Sequence, residues 1–498
     1  MKKTLNLRFF AKKQVNFLGF YLLSRKLLII SGNIIAHRGG SKNGWLIWKD
    51  KEGNTLEIQT VGINSYQMNA INRIILVGNG FDLAHGLATR YADFINWYWE
   101  QWETRLLRSS RKIEDDGLFS FRLKDNVCLA SWYLVWQWYY CIPLHISNDL
   151  KKYDIINQVK NDTNVCDYKS YSAFFNNICK QIEQKKWVDI ENEYYEALNK
   201  EYFSNPQKLN SEFEIVKLKL IEYLTNIQET KINGAIINQS LRNKIFAPIK
   251  TNEIAISARE YLLKFAAEQY AGVQGLSYAT IYHQLEDRNG HEKNSQVLEN
   301  FAKEYGTQIK FFGIESVIDK NIIPDSLLYP NRLLLLNFNY THTADLYIPQ
   351  GKTKEYWFPI NHIHGDLEKP DDIIFGYGDE LDDRYGELVK LYNNEHLRNI
   401  KSTKYLETDN YRKMLAFINS APYQVYIMGH SCGNSDRTLL NTLFEHKNCI
   451  SIKPFYYIKE DGSDNYLEII QNISRNFTDM KLMRDRVVNK TYCERLLD

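Results

Sequence analysis

The chain has 498 residues, 44% hydrophobic and 24% charged, with ten prolines, which places it inside the globular range and outside the disordered and fibrous classes. A formal net charge of +2 excludes a globally basic nucleic-acid binder and leaves only a local basic groove open. The length exceeds one ordinary domain, so two domains, or one with a large insertion, are expected.

The near-neutral total hides a break. Residues 1–67 carry eleven Lys/Arg against three Asp/Glu, net +8, whereas the remainder carries 51 against 57, net −6. The apolar stretch 17–35 is interrupted by Arg25 and Lys26 and runs into a Gly/Ser/Asn-rich segment, so it meets neither the pattern of a membrane span nor that of a secretory signal. Residues 1–67 therefore read as a weakly folded basic extension, and the working protein as 68–498, beginning near Met68. On composition, a genuine basic arm that touches membrane or nucleic acid is the alternative. The seven cysteines are scattered without a C-x-x-C pair, which points to a reducing cytoplasm and away from a structural zinc site.

From Arg73, Ile74-Ile75-Leu76-Val77 reads as a buried parallel strand delivered into the turn Gly78-Asn79-Gly80. A helix is expected after Tyr91, and from 92 to 304 long amphipathic stretches with few Gly or Pro predict a predominantly helical insertion. Six of the ten tryptophans fall between Trp97 and Trp138, a spacing that favours core over an exposed stacking face. Trp187, Asp189 and Glu191 are expected on one of these helices, with Glu191 on an exposed face. Strand signals return at 309–313, 332–338, 356–363, 372–375, 424–428 and 450–458, and a helix is expected after Ser435 with Ser435 or Asp436 as its N-cap. Strands alternating with helices predict an α/β fold with a parallel sheet, whose ligand site collects at the carboxyl ends of the strands.

Four polar clusters stand at those ends. Gly78-Asn79-Gly80-Phe81-Asp82-Leu83 offers glycines that let a phosphate approach, although a plain tight turn fits as well, and neither G-x-G-x-x-G nor G-x-x-x-x-G-K-[ST] is met. Asn337-Phe338-Asn339-Tyr340-Thr341-His342 carries amides able to orient a ribose or a water, or simply to cap a loop. Asn361-His362-Ile363-His364-Gly365-Asp366 puts both histidines on one strand face by the period of two, for general-base chemistry, metal ligation or a satisfied strand end. Gly429-His430-Ser431-Cys432-Gly433-Asn434-Ser435-Asp436 ends with an acid at a helix start, where an N-cap role serves equally well. The four ends are expected to converge, bringing Gly78, Asn339, His364 and Ser431 to one cleft.

The ordered series, with Trp187-Val188-Asp189-Ile190-Glu191 and Ile374-Phe375-Gly376-Tyr377-Gly378 between, resembles the AbiH family of bacteriophage abortive-infection proteins over most of 72–460. A more distant resemblance is to sirtuin-like NAD-processing domains, which implies a Rossmann-like (sirtuin-like) parallel sheet. On that pattern Gly78, Gly80, Gly429, Ser431 and Asp436 fall at nucleotide-binding positions and Asn339 and His364 at catalytic ones, and Asn79, Asp82 and Asn337, in the same clusters, are further nucleotide-binding candidates. The first turn departs from the sirtuin-like pattern, and Thr341 stands where an Asp is expected. The missing C-x-x-C pairs remove the zinc module of sirtuin deacetylases, so NAD cleavage rather than deacetylation is implied, with NAD or a related nucleotide as substrate and no metal. The alternatives are a metal-dependent phosphoesterase or nuclease using His362, His364 and Asp366, with Asp82 or His342 as further ligands, and a non-enzymatic module that senses a nucleotide or phage protein. The insertion is expected to sense a phage-derived trigger or to drive homo-oligomerisation.

Overall fold

The computed structural model describes residues 70–108, 113–124, 166–185, 188–200, 202–232, 237–273, 323, 325–348, 358–378 and 380–497, together with strand backbone in the first 61 residues. The chain divides into two compact units, Met1–Met68 and Asn69–Asp498. In the first, strands β1 (Lys3–Thr4), β2 (Ile34–Arg38), β3 (Asn43–Lys49) and β4 (Thr55–Val61) form a sheet in the order β1-β4-β3-β2. β3 runs antiparallel to both β2 and β4, and β1 runs parallel to β4.

The second unit is a mixed α/β fold around a five-stranded sheet. The short apolar runs become β5 (Asn72–Val77), β9 (Leu333–Asn337), β10 (Ile360–His362), β11 (Tyr423–Met428) and β12 (Cys449–Phe455). They pair in the order β10-β9-β5-β11-β12, every pair parallel. Taken in chain order that is third, second, first, fourth, fifth, so the strand order reverses at β5, and in such sheets the crevice opens at the carboxyl end of that reversal. Continuous apolar strands fit because both faces are covered. Ile74, Leu76, Val425 and Ile427 pack on one face with the helices Asn410–Ser420, Arg437–Phe444 and Tyr466–Arg475. Ile75, Val77, Tyr426 and Met428 pack on the other with Phe81, Tyr347 and the helix Gln239–Ile245.

Between β5 and β9 lies the insertion, which is helical as expected at Tyr91–Arg108, Ala173–Lys185, Ile190–Asn199, Pro206–Ile227, Gln239–Ile245 and Arg259–Val273. Local signals explain these starts: Pro206 occupies the first turn of its helix, and the Asn205 side chain accepts from the Lys208 amide. The insertion also contains an antiparallel sheet of β6 (Glu114–Asp115), β7 (Phe119–Leu123) and β8 (Cys166–Ser170), where Phe119 and Phe121 alternate with polar residues at the period of two. Trp99 and Trp102 are fully buried in its core beside these phenylalanines, as their spacing predicts. Trp132, Trp136, Trp138 and Trp187 lie outside the described residues, as does the predicted strand at 309–313.

The predicted strand at 372–375 does not form. A 3₁₀ turn, Pro370–Asp372, leads into a segment with one bridge, Tyr377 to Ile400, in which Ile373, Phe375 and Tyr377 join the core of the insertion: Phe375 stacks on Phe213 at 4.6 Å and Tyr377 on Tyr195 at 4.0 Å. An apolar run was thus buried by side-chain stacking rather than by strand pairing. Among the described residues no helix is long and apolar enough to cross a membrane.

Candidate active site

Register fixes where the clusters emerge. Val77 pairs with Asn337 and Met428, and Asn337 with His362, so four strands end in one row. The turns that leave β5 and β11 touch. The Gly80 amide donates to the Gly429 carbonyl at 2.8 Å, and the Gly78 and Phe81 amides donate to Met428 and Gly78 carbonyls. A Cβ on Gly78 would stand 2.5 Å from His430 Cα, and one on Gly429 2.1 Å from the Phe81 nitrogen. These glycines are thus required by the approach of one turn to another. Gly429 also has φ of +79°, where a side chain is strained. Gly429→Ala should therefore lower the unfolding free energy by about 3 kcal/mol or more, whereas Gly86→Ala, at φ +74° with open space around it, should cost only about 1–2 kcal/mol; equal losses in denaturant unfolding would show that backbone strain outweighs turn contact.

The turn carries Asp82 inward. It is 1% exposed, its Oδ2 accepts from the Thr341 hydroxyl at 2.6 Å, and its Oδ1 is buried without a hydrogen bond. Asn339 spans the same region, its Nδ2 donating to the Gly78 carbonyl at 3.0 Å and its amide to Asn337 Oδ1 at 3.1 Å. Asn79 is exposed and accepts from Thr89. Burial pushes the Asp82 pKa up to about 6, against the pull of Thr341 and weaker ones from Thr343 and Asn339. A carboxyl raised in the folded state stabilises most below its unfolded pKa of 3.8 and loses that contribution as pH rises through 6. Asp82→Asn should accordingly unfold later than wild type at pH 7.5, by at most about 3 kcal/mol, and level with it at pH 4; a gain of equal size at both pH values would contradict the buried-charge account.

His364 lies on the same edge. It is 3% exposed, edge-on to Phe338 with ring centroids 5.2 Å apart, and its Nε2 is 3.3 Å from Asp436 Oδ1 and 3.1 Å from the Tyr405 hydroxyl. The same Asp436 Oδ1 accepts from Lys401 Nζ at 2.8 Å, and its Oδ2 is 3.4 Å from His430 Nε2. His430 Nδ1 accepts from the Cys432 amide, so its proton sits on the nitrogen that faces Asp436. Lys401, fully buried, also donates to Glu191 Oε2 at 3.0 Å. Burial opposes the charge on Asp436, but Lys401 first and then His364 hold its pKa well below the usual range. Burial and then Lys401 push His364 down to about 4, so it is neutral at physiological pH. With Asp436 ionised, the His364 proton belongs on Nε2, and Nδ1, which has no partner among the described residues, keeps its lone pair.

Three expectations need correction. Asp436 stands at the N-cap position of the helix Arg437–Phe444, yet its side chain makes no capping bond, because Lys401 and the two histidines take it. Glu191 is buried at 8% exposure rather than on an open helix face, since Lys401 and the Gly376 amide are there to receive it. His362 and His364 do not share a strand face: β10 stops at His362, and a turn with Gly365 at φ +79° follows. Ser431 is exposed, with its carbonyl accepting from Asn472.

The grouping His362, His364 and Asp366 therefore does not assemble. His362 Nε2 instead meets Asp345 Oδ2 at 3.2 Å, with His342 Nδ1 3.3 Å from the same oxygen and Asp366 3.8 Å from His342 Nε2. Cation-ligand types come within 4.8 Å of one another in two sets that share His342, one with Asp345 and His362 and the other with Asp366 and Glu368. Their hydrogen atoms point another way. Asn337 accepts through Oδ1 from Asn339 and donates through Nδ2 to the Thr341 carbonyl, so the group it presents to His362 Nδ1 at 3.2 Å is a donor. That leaves the His362 proton on Nε2, which lies 3.2 Å from Asp345 Oδ2 without making a hydrogen bond, whereas a metal-bound imidazole needs its outer nitrogen to donate. Burial alone would raise Asp345, but His342 and His362 hold it down at about 2, and the bond to Asp345 raises His342.

Lys401, Tyr405, Glu191 and His430 complete the site without having been singled out as site residues by sequence. A lone Lys in Lys401-Ser402-Thr403-Lys404 carries no signal, whereas His430 and Glu191 stood inside quoted motifs.

The fold is a mixed α/β one whose parallel sheet carries an acid-held histidine and a buried carboxylate at one edge; its lineage is more specific. The family model described as Bacteriophage abortive infection AbiH matches residues 74–457, and the chain belongs to that family. Membership implies a role in abortive-infection defence against phage. No curated protein and no solved structure matches the chain.

Proposed function

We propose that the chain defends by hydrolysing NAD, or a related nucleotide, at the nicotinamide–ribose bond when a phage infects. The observation that supports this most is the single row of strand ends that gathers buried Asp82, Asn339 and the Asp436-held His364 at the reversal of strand order. His364 Nδ1 takes a proton from water as the water oxygen bonds to the ribose C1′. The bond from C1′ to the nicotinamide nitrogen breaks, and its electron pair leaves with neutral nicotinamide. Asp436 stabilises the imidazolium that forms. Asp82, ionised at neutral pH and lacking a partner for Oδ1, faces the positive charge that develops on the ribose, and burial strengthens that attraction. Asn339 orients the ribose hydroxyls or the water. Depletion of a shared cofactor halts the infected cell, which fits abortive infection.

The location is then cytoplasmic, where the nucleotide is, and the insertion serves as sensor of a phage-derived trigger or as an oligomerisation element. Metabolite profiling of cells expressing the protein through a phage challenge tests the reading. Loss of NAD with release of nicotinamide, unaffected by chelators in the purified assay, is expected. Protection with every nucleotide pool intact would overturn it.

A further inference from the structure

We infer that Glu191 is the contact through which the inserted helices set the proton affinity of His364, acting by way of Lys401 and Asp436. This rests on reading His364 as the base. Glu191 belongs to the helix Ile190–Asn199, whose N-cap Asp189 accepts from the Asn192 amide at 3.1 Å. The helix is pinned to the loop after the sheet edge by the Tyr195–Tyr377 stack, and Glu191 Oε1 accepts from Gly376 at 3.1 Å. From there the chain of contacts is continuous: Glu191 Oε2 to Lys401 Nζ at 3.0 Å, Lys401 to Asp436 Oδ1 at 2.8 Å, and that oxygen to His364 Nε2 at 3.3 Å. A buried ion set of this kind is seldom more stabilising than apolar side chains of the same volume, so stability does not account for it.

One ammonium faces two carboxylates. Asp436 stays ionised, whereas burial first, offset by Lys401 and reinforced by Asp436 and Asp189, raises Glu191 to about 7. The phenols of Tyr91, Tyr340 and Tyr405 also face this group, and burial holds all three protonated. Glu191 is therefore the member whose charge changes near neutrality. Ionised, it offsets the Lys401 ammonium. Protonated, or withdrawn with its helix, it leaves that ammonium to act undivided on Asp436 and His364, and the histidine becomes a weaker base. A trigger that moves the helix thus changes the site without any insertion residue touching the nucleotide, and Glu191 is a positioning residue.

The test compares full-length wild type, Glu191→Gln and Glu191→Asp, with NAD as probe from pH 5.5 to 8.5. In parallel, the ring ¹⁵N shifts of His364 are followed in ¹⁵N-histidine protein, assigned by their absence from His364→Gln. The wild type should show an inflection near pH 7 both in kcat and in the His364 shifts, with KM unchanged. Glu191→Gln should lose both inflections and about tenfold of kcat, the equivalent of one pKa unit, and Glu191→Asp should restore them in part. A merely structural Glu191 would lower Tm and leave the inflection in place, which overturns the inference. If wild type leaves NAD intact but the shift inflection is present and vanishes in Glu191→Gln, the coupling stands and the hydrolase reading falls.

Discussion

Purified His364→Ala, folded at the assay temperature, should lose nucleotide cleavage by about 10²–10⁴-fold, the usual contribution of a positioned general base, and with it all phage protection. The imidazole is the group at the sheet edge that combines a carboxylate-held Nε2 with a free Nδ1 among the described residues. His362→Ala should be milder, because Asn337 Nδ2 occupies His362 Nδ1 and its Nε2 lies 3.2 Å from Asp345. Asn339→Ala should also lose activity, since it ties the β9 end to the Gly78 turn. Steady-state kinetics with chelator present, and plaque counts in cells, read these effects. Removal of a buried polar partner alone costs roughly 1–3 kcal/mol, so a melting curve accompanies every variant. A folded His364→Ala that still protected cells would remove the catalytic assignment.

Lys401→Met should have the largest effect on stability. Lys401 has no exposed surface, and its ammonium is 3.0 Å from one carboxylate and 2.8 Å from another. Taking it away leaves buried like charges facing each other, a loss of about 3–5 kcal/mol. The sign of its pH dependence follows from Glu191. Lys401 pulls the Glu191 pKa down, so without it that pKa rises further above its unfolded value of 4.5. A carboxyl raised in the folded state costs stability as pH climbs through the raised value, so the deficit should be larger at pH 8 than at pH 5.5. Denaturant unfolding at the two pH values measures it. Glu191→Gln in the same chain should recover part of the loss, because the two sites share a partner. A single variant as stable as wild type at pH 8 would show that the carboxylates find other compensation.

Local pattern carried much of the central fold. Ile74-Ile75-Leu76-Val77 and Leu333-Leu334-Leu335-Leu336 are short, uninterrupted and apolar, and that pattern belongs to strands covered on both faces. The turns at Gly78 and Gly429 were legible because glycine runs follow such strands. Where reading failed, two physical solutions shared one local signal. Ile373 and Phe375 look like part of a strand but are buried by the insertion, and Phe119-Ser120-Phe121 alternates within a stretch whose overall composition is helical. A period of two placed His362 and His364 together only on the premise that the strand continued past His362.

Pattern along the chain was enough to predict a parallel α/β sheet with polar clusters at its strand ends, to place Asp82, Asn339, His364 and Asp436 in those clusters, and to match their order to the AbiH family. The reason is that periodicity and glycine placement are properties of neighbours along the chain. Which charges meet is set by folding. Glu191 and Lys401 are separated by 210 residues, and Lys401 and Asp436 by 35, yet they form one buried set. Ion pairing of this kind depends on distance and dielectric in the folded chain, neither of which leaves a trace in local sequence.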